Sequence, residues 1–224
     1  MGSTLFVSGA AGNLGSAVAA YFSSQGYIVY GTVSKTSEGP TFKELVLDAT
    51  DEAQCNTTIA ATIQESTQIN AAVLTIGGFA MGSLEETDYA SIEKQITLNF
   101  KTAYLLAKPL FLHFLEKGSG TLFLISSGAG TDPSAATGVV AYGLSKALIV
   151  DLAEILNALA AKKHSEARVV VVVPGTIDTP QNRAAMPNAD TGKWISPQNL
   201  AKAIFEEHSQ NLKSEQKNTL KLGF

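Results

Sequence analysis

An α/β fold, with helices on both faces of a doubly wound parallel sheet, is predicted by three features of this 224-residue chain. Short β-branched runs alternate with helical patterns, the runs are apolar at nearly every position, and Gly, Pro, Ser, Asn and Asp gather where the runs end. A strand buried on both faces has no polar side to show, so continuous apolar runs point to a central sheet between two helical layers, a three-layer α/β/α sandwich.

The elements follow in order. Thr4 to Ser8 reads as a strand, Ala17 to Gln25 as a helix and Tyr27 to Val33 as the next strand. A third strand is expected over Phe42 to Leu47, a helix from about Thr50 to Ser66, and a fourth strand over Ala71 to Ile76. The helix Ile92 to Glu116, the strand Thr121 to Ile125, the helix Tyr142 to Lys162 and the strand Arg168 to Val173 complete the alternation. Loops are expected at Ser34 to Pro40, Gly77 to Glu86, Gly128 to Gly138 and Thr176 to Pro197. Three of these leave the carboxyl end of a parallel strand, the edge at which open α/β sheets bind ligands. Residues 206–224 read as a polar tail with a weak strand-like end at Thr219 to Leu222, and 1–224 as one domain.

Composition narrows the partners. With a formal charge of −4 and 16 Lys/Arg scattered along the chain, there is no basic stripe for nucleic acid or anionic lipid, and a small-molecule substrate is expected. The longest aliphatic run, Val169 to Val173, stops at Pro174, far short of the roughly 20 residues of a membrane-spanning helix. The start, Met1-Gly2-Ser3-Thr4, lacks the pattern of a secretory signal, so a cytoplasmic location is expected. Cys55 is the single cysteine, which excludes an internal disulfide and a cysteine cage for zinc, and no metal site is expected. His113, His164 and His208 lie far apart and receive no role.

The first chemical signal is Gly9-Ala10-Ala11-Gly12-Asn13-Leu14-Gly15, between the first strand and first helix. A pyrophosphate placed there meets backbone N–H groups and the positive end of the helix. Gly9 makes the tight turn, Gly12 or the small Ala10 and Ala11 let backbone approach phosphate, and Gly15 lets helix pack on sheet. An ordinary Gly-rich turn is the alternative, and the flanking strand and helix favour the dinucleotide site. The next strand ends Val33-Ser34-Lys35, with no carboxylate before Glu38 to hold a ribose diol. Ser34 and Lys35 can donate to a 2′-phosphate, so NADP(H) is favoured and NAD(H) is the alternative. Asp48 can accept from an adenine amino group or cap the next helix.

The second signal is Tyr142-Gly143-Leu144-Ser145-Lys146, whose i, i+4 spacing puts phenol and ammonium on one helix face. A unit charge about 4 Å away at an effective dielectric near 20 contributes about 4 kcal/mol. That lowers a phenol's pKa by roughly three, making it a useful proton donor for a carbonyl receiving hydride.

The order of phosphate turn, strand ending Leu124-Ile125-Ser126-Ser127, and Tyr142/Lys146 resembles the short-chain dehydrogenase/reductase family over most of the chain. The resemblance implies a Rossmann-like fold and an NAD(P)-dependent oxidoreductase that assembles as a homodimer or homotetramer. It implies Tyr142 as acid/base, Lys146 as ribose anchor and pKa tuner, and Ser127 as donor to the substrate carbonyl, with Ser126 the alternative. Asn99 resembles the helix asparagine that holds a relay water; a self-satisfied buried amide is the other reading. Pro174, Gly175, Ile177 and Thr179 resemble the segment that holds the nicotinamide carboxamide.

The stretch Asp178 to Arg183, with Met186-Pro187, Asp190 and Trp194, is similar to the dihydropteridine reductase branch, as are Gly77 and Gly78, placed in the cofactor site, and Phe79. Phe79 or Trp194 can offer a flat face to a bicyclic ring. That branch has an aspartate where Val33 stands and lacks the serine offered here by Ser126 and Ser127, and the stretch from Ser127 to Tyr142 is longer than the family spacing. The first departure bears on cofactor preference, the serine favours an ordinary ketone or aldehyde substrate, and the spacing leaves the choice between Ser126 and Ser127 open. A non-catalytic NAD(P)-binding redox sensor or scaffold is the rival reading, against which Tyr142, Lys146 and Asn99 argue.

Overall fold

The computed structural model describes residues 2–36, 41–210 and 218–223. Seven parallel strands lie in one sheet, ordered β3-β2-β1-β4-β5-β6-β7. β1 (Thr4–Ser8), β2 (Ile28–Val33), β3 (Lys43–Val46) and β4 (Ala71–Leu74) make one half, with α1 (Asn13–Ser24) and α2 (Glu52–Ser66) between them. α3 (Tyr89–Gln95) runs through a π-helical segment, Ile96–Lys101, into α4 (Thr102–Lys117). Then come β5 (Ser119–Ile125), the short α5 (Gly128–Thr131), α6 (Val140–Lys162), β6 (Glu166–Pro174), α7 (Pro180–Ala185), α8 (Pro197–Ser209) and β7 (Thr219–Leu222).

The apolar strands are explained by two cores. Successive side chains point to opposite faces: Phe6, Leu122, Leu124, Val169 and Val171 join one cluster with α2, α4 and α6, while Leu5, Val7, Phe123, Val170 and Val172 join another with α1 and α8. Phe6, Phe22, Phe111, Phe114 and Phe123 are fully buried; a buried side chain of this size contributes about 1.5–3 kcal/mol each. Helices are started by side chains that accept orphaned backbone N–H groups: Asp51 for α2, Asp88 for α3, Thr179 for α7 and Ser196 for α8.

The expected elements are present with ends shifted by a few residues, and three differences have physical causes. The expected tail begins inside α8, and its strand-like end is β7, paired with β6 from Val171↔Thr219 to Pro174↔Leu222. This short strand closes the sheet by backbone pairing and by Leu220 and Leu222, which pack against the core. The expected loop Gly128 to Gly138 contains α5 and a 3₁₀ turn at Pro133–Ala136, and Thr176 to Pro197 contains α7. The long helix expected from Ile92 starts at Tyr89 and is interrupted by the π segment that carries Asn99. Glu38 and residues 211–217 lie outside the described residues.

At the amino-terminal edge of the sheet a buried polar knot ties α8 to the strands. Arg168 of β6 donates from Nη1 to Glu207 Oε1 at 2.8 Å and from Nη2 to the Glu207 carbonyl. His208 lies between Thr121 Oγ1 (3.2 Å) and the Tyr27 hydroxyl (3.0 Å). Burial first, and the Arg168 charge second, push its pKa down to about 4. The folded imidazole is therefore neutral, whereas an unfolded one takes a proton near pH 6.5. Between those values the unfolded state binds more protons, so stability falls as pH falls from about 6.5 to about 4. We expect His208→Gln to lose less stability than the parent across that window, by on the order of 3 kcal/mol at pH 4, read by urea unfolding at each pH. Parallel pH curves for the two proteins would contradict the assignment.

Candidate active site

The carboxyl edge of the sheet holds an open cleft of about 920 Å³. Its floor is the turn Gly9 to Gly15; one end is bounded by Val33, Ser34 and Asp48, the other by Gly77, Ile177 and Thr179. Gly9 has φ +66, the left-handed region that glycine enters without cost. A Cβ on Gly15 would stand 2.2 Å from the Gly9 carbonyl oxygen, so helix and turn can close up only around glycine. Gly12 is the N-cap of α1 and offers no side-chain hydrogen bond. Where α2, α3 and α8 have their first N–H groups capped by side chains, α1 presents its N–H groups and positive dipole end to the cleft. This is a cradle for phosphate, and the residues fit a dinucleotide.

Most of the expected cofactor residues gather here. Gly9, Ala11, Gly12, Asn13, Leu14, Gly15, Ser34, Asp48, Gly77, Ile177 and Thr179 all line the cleft. Asp48 does not cap α2, which Asp51 does: Asp48 Oδ1 accepts from Thr50 N (2.8 Å) and Oγ1 (2.7 Å), contacts that hold its pKa below the usual range. Lys35, Gly78, Lys146, Pro174 and Gly175 do not line it. Lys35 is exposed. Gly175 donates its N–H to Leu222 O at 2.7 Å, and a Cβ there would collide with Gly223 O at 1.8 Å. The glycine that resembled a carboxamide clamp is required by the close passage of the chain after β7.

The catalytic candidates converge at the end of β5 and the start of α6. Lys146 is 5% exposed, and its Nζ donates to the Ile125 carbonyl at 3.0 Å. Ser126 Oγ donates to the Lys146 carbonyl at 2.9 Å, so that hydroxyl is committed to structure. Ser127 Oγ is buried and completes no hydrogen bond of good geometry among the described residues. It lies close enough to the Tyr142 phenol to favour the ionised form, against the larger effect of burial, which raises the phenol's pKa. The expected lowering by Lys146 is not what the structure shows. The ammonium is turned to Ile125 O and stands 5.8 Å from the centre of the Tyr142 ring.

Asn99 joins this group to the cleft. Its Oδ1 accepts from Gly78 N at 2.9 Å, and its Nδ2 lies within reach of Gly78 O (3.0 Å), Gln95 Oε1 (2.9 Å) and Ser145 Oγ (3.0 Å). Ser145 Oγ in turn donates to Tyr142 O at 2.7 Å. With two hydrogens facing three acceptors, the amide nitrogen is fully taken up, while Oδ1 accepts a single N–H and keeps its second lone pair. The π turn rotates Asn99 into this position, as such bulges often do at functional sites. Gln95 and Ser145 were not singled out by sequence pattern; the one-turn spacing of Gln95 from Asn99 was the available signal. A Cβ on Gly77 would lie 2.6 Å from Asn99 Oδ1 and 3.2 Å from Lys146 Nζ, so cleft wall, amide and ammonium meet at that glycine. Phe79 follows, 61% exposed, with its ring 5.0 Å from that of Tyr142 at 72°. Trp194 is half-buried. No helix among the described residues is long and apolar enough to cross a membrane.

Residues 3–190 match the sequence profile of the short chain dehydrogenase family. A dihydropteridine reductase of Dictyostelium discoideum is 26% identical over 215 residues, 92% of this chain and 87% of that protein. A 2,5-dichloro-2,5-cyclohexadiene-1,4-diol dehydrogenase of Sphingobium indicum is 27% identical over 80% of this chain and 74% of its own length. Among solved structures, a short-chain dehydrogenase from Streptomyces avermitilis superposes with a TM-score of 0.83 at 22% identity, over 99% of this chain and 88% of that one. ElxO with NADP bound gives 0.86 at 20% identity, over 99% and 97%.

Burial alone pushes the Lys146 ammonium down to about 8 from its ordinary 10.5. A displacement of that size costs the folded state on the order of 3 kcal/mol. The cost is fully present below pH 8, where folded and unfolded lysine are both charged, and is relieved as pH rises from 8 towards 10.5. Lys146→Met is therefore expected to be more stable than the parent at pH 7 by up to about 3 kcal/mol, with the gap closing by pH 10 in denaturant unfolding. A variant less stable than the parent at pH 7 would show that the Ile125 carbonyl more than offsets desolvation.

Proposed function

Since the chain belongs to the short-chain dehydrogenase family and is an oxidoreductase of that kind, we propose that it is an NADP(H)-preferring reductase of a small carbonyl or conjugated imine, with Tyr142 as proton donor. The observation that carries this reading is the meeting of the two halves of the site at Gly77, where the nucleotide cleft ends and Lys146 and Asn99 begin. A bound nicotinamide nucleotide supplies the hydride. Burial keeps the Tyr142 phenol protonated at neutral pH, as a donor to the heteroatom of the reduced bond must be. The unpartnered Ser127 hydroxyl beside it can hold that heteroatom. A buried hydroxyl left unsatisfied costs about 1–3 kcal/mol, which a substrate oxygen or nitrogen returns. Lys146, still charged at pH 7, stabilises the phenolate that remains after proton transfer and can hold a ribose hydroxyl. Asn99 is a positioning residue here: its amide locks Gly78 to the helix that carries Tyr142.

The preference for NADP(H) is supported by the adenine end of the cleft. The residues lining it at the end of β2 are Thr32, Val33 and Ser34, and the one carboxylate in the lining, Asp48, is held by Thr50. Among the described residues, no acid stands at the end of β2 itself to oppose a 2′-phosphate. A dihydropterin as substrate is supported by the likeness to the Dictyostelium discoideum reductase and by the exposed Phe79 ring set against Tyr142.

Oxidation of NADPH and of NADH at 340 nm, against quinonoid dihydropterin and a panel of ketones, aldehydes and quinones, tests the reading. We expect a higher specificity constant with NADPH, and Tyr142→Phe to lower kcat by about 10²–10⁴-fold while NADPH affinity stays within about twofold. Full turnover by Tyr142→Phe would overturn the mechanism, and a higher constant with NADH the cofactor preference. Turnover of simple carbonyls without the pterin would assign Phe79 to scaffold.

A further inference from the structure

The two walls of the nucleotide cleft are joined at its mouth by a side-chain contact between Asn13, in the cofactor turn, and Gln181, which the chemistry above does not use. One wall is the glycine turn, where Asn13 is the first residue of α1; the other is the segment from Ile177 to Asn182 leading into α7. Asn13 Nδ2 donates to Gln181 Oε1 at 2.9 Å, a contact between residues 168 positions apart. Ile177, Thr179 and Asn182 line the cleft, whereas Gln181, between them, does not. Both partners are exposed. The bond therefore runs along the outer rim, from wall to wall.

Both ends of this bond stand on fixed supports. On the α7 side, Thr179 Oγ1 accepts from Asn182 N at 3.1 Å, Asn182 Nδ2 donates to Ile177 O at 2.8 Å, and Arg183 grips Asp178 through Nε (2.5 Å) and Nη2 (2.8 Å). On the other side, α1 is seated on its turn through Gly15. A hydrogen bond between two such bodies constrains their separation, unlike one between two waving surface chains, which gives little.

We infer that the Asn13–Gln181 hydrogen bond is a clasp that closes the cleft over a bound dinucleotide, so that Gln181 retains NADP(H) without taking part in the reaction. This rests on the reading of the cleft as a nicotinamide nucleotide site. The clasp opens for entry and release and, when closed, slows departure. Gln181→Met keeps length and bulk but removes the acceptor; Asn13→Ala removes the donor.

The test is the release rate of NADPH, followed by its fluorescence in stopped flow, for the parent, the two single variants and the double variant, with thermal unfolding used to check that all four are folded. Each single change is expected to speed release roughly three- to tenfold, the range of one ordinary neutral hydrogen bond. The double variant is expected to release no faster than the faster single one, since both remove the same bond. Unchanged release in Gln181→Met, or effects that multiply in the double variant, would overturn the clasp while leaving the cofactor site intact. A parent protein that binds neither NADPH nor NADH would overturn the cofactor reading and the clasp with it.

Discussion

One buried carboxamide holds this site together. Asn99 has its oxygen and nitrogen bonded to Gly78, Gln95 and Ser145, which belong to the loop after β4, to its own helix and to α6. An unpaired buried amide costs about 1–3 kcal/mol, so the loop, the π turn and α6 have one arrangement in which all partners are met. That arrangement brings Gly77 against Lys146 Nζ and leaves no room for a Cβ between them. The glycine turn and Tyr142 are thereby set in register although they come from opposite halves of the chain.

The two edges of the sheet divide the work. At the carboxyl edge, polar groups are left with bonds to give: the N–H groups of α1, the hydroxyl of Ser127 and the ammonium of Lys146, each at some cost to stability. At the amino edge, Arg168 and Glu207 form a buried pair and His208 sits neutral between two hydroxyls, tying α8 to β6. Between the edges two apolar cores, one on each face, supply the rigidity that lets the open edge carry unsatisfied groups.

Much of this was legible in the sequence, for reasons that differ by element. Strands β1, β4, β5 and β6 declared themselves because burial on both faces leaves no polar position. The glycine turn was readable because its spacing is dictated by steric contact, as the 2.2 Å approach at Gly15 shows. Tyr142 and Lys146 share a face by helix geometry alone. What stayed hidden depends on partners distant in sequence. β7 is short and depends on the backbone edge that β6 offers, and α8 buries a narrow apolar stripe of Pro197, Leu200, Ala201 and Ile204 with Phe205 beside it. Gly175 carries a requirement imposed by Gly223, and the choice between Ser126 and Ser127 turns on which hydroxyl reaches the Lys146 carbonyl. The partners that take up the Asn99 amide nitrogen, Gln95, Gly78 and Ser145, come from three separate stretches of chain that only the fold brings together.

The register imposed by Asn99 is tested most directly by the single-turnover rate of hydride transfer from NADPH in Asn99→Ala, set beside its NADPH affinity. If the amide places the reacting groups, the rate falls by about a hundredfold or more, while affinity, carried mainly by the glycine turn, changes by less than about fivefold. A variant that transfers hydride at the parent rate would contradict the account, because the two halves of the site would then be in register without the bond assigned to hold them.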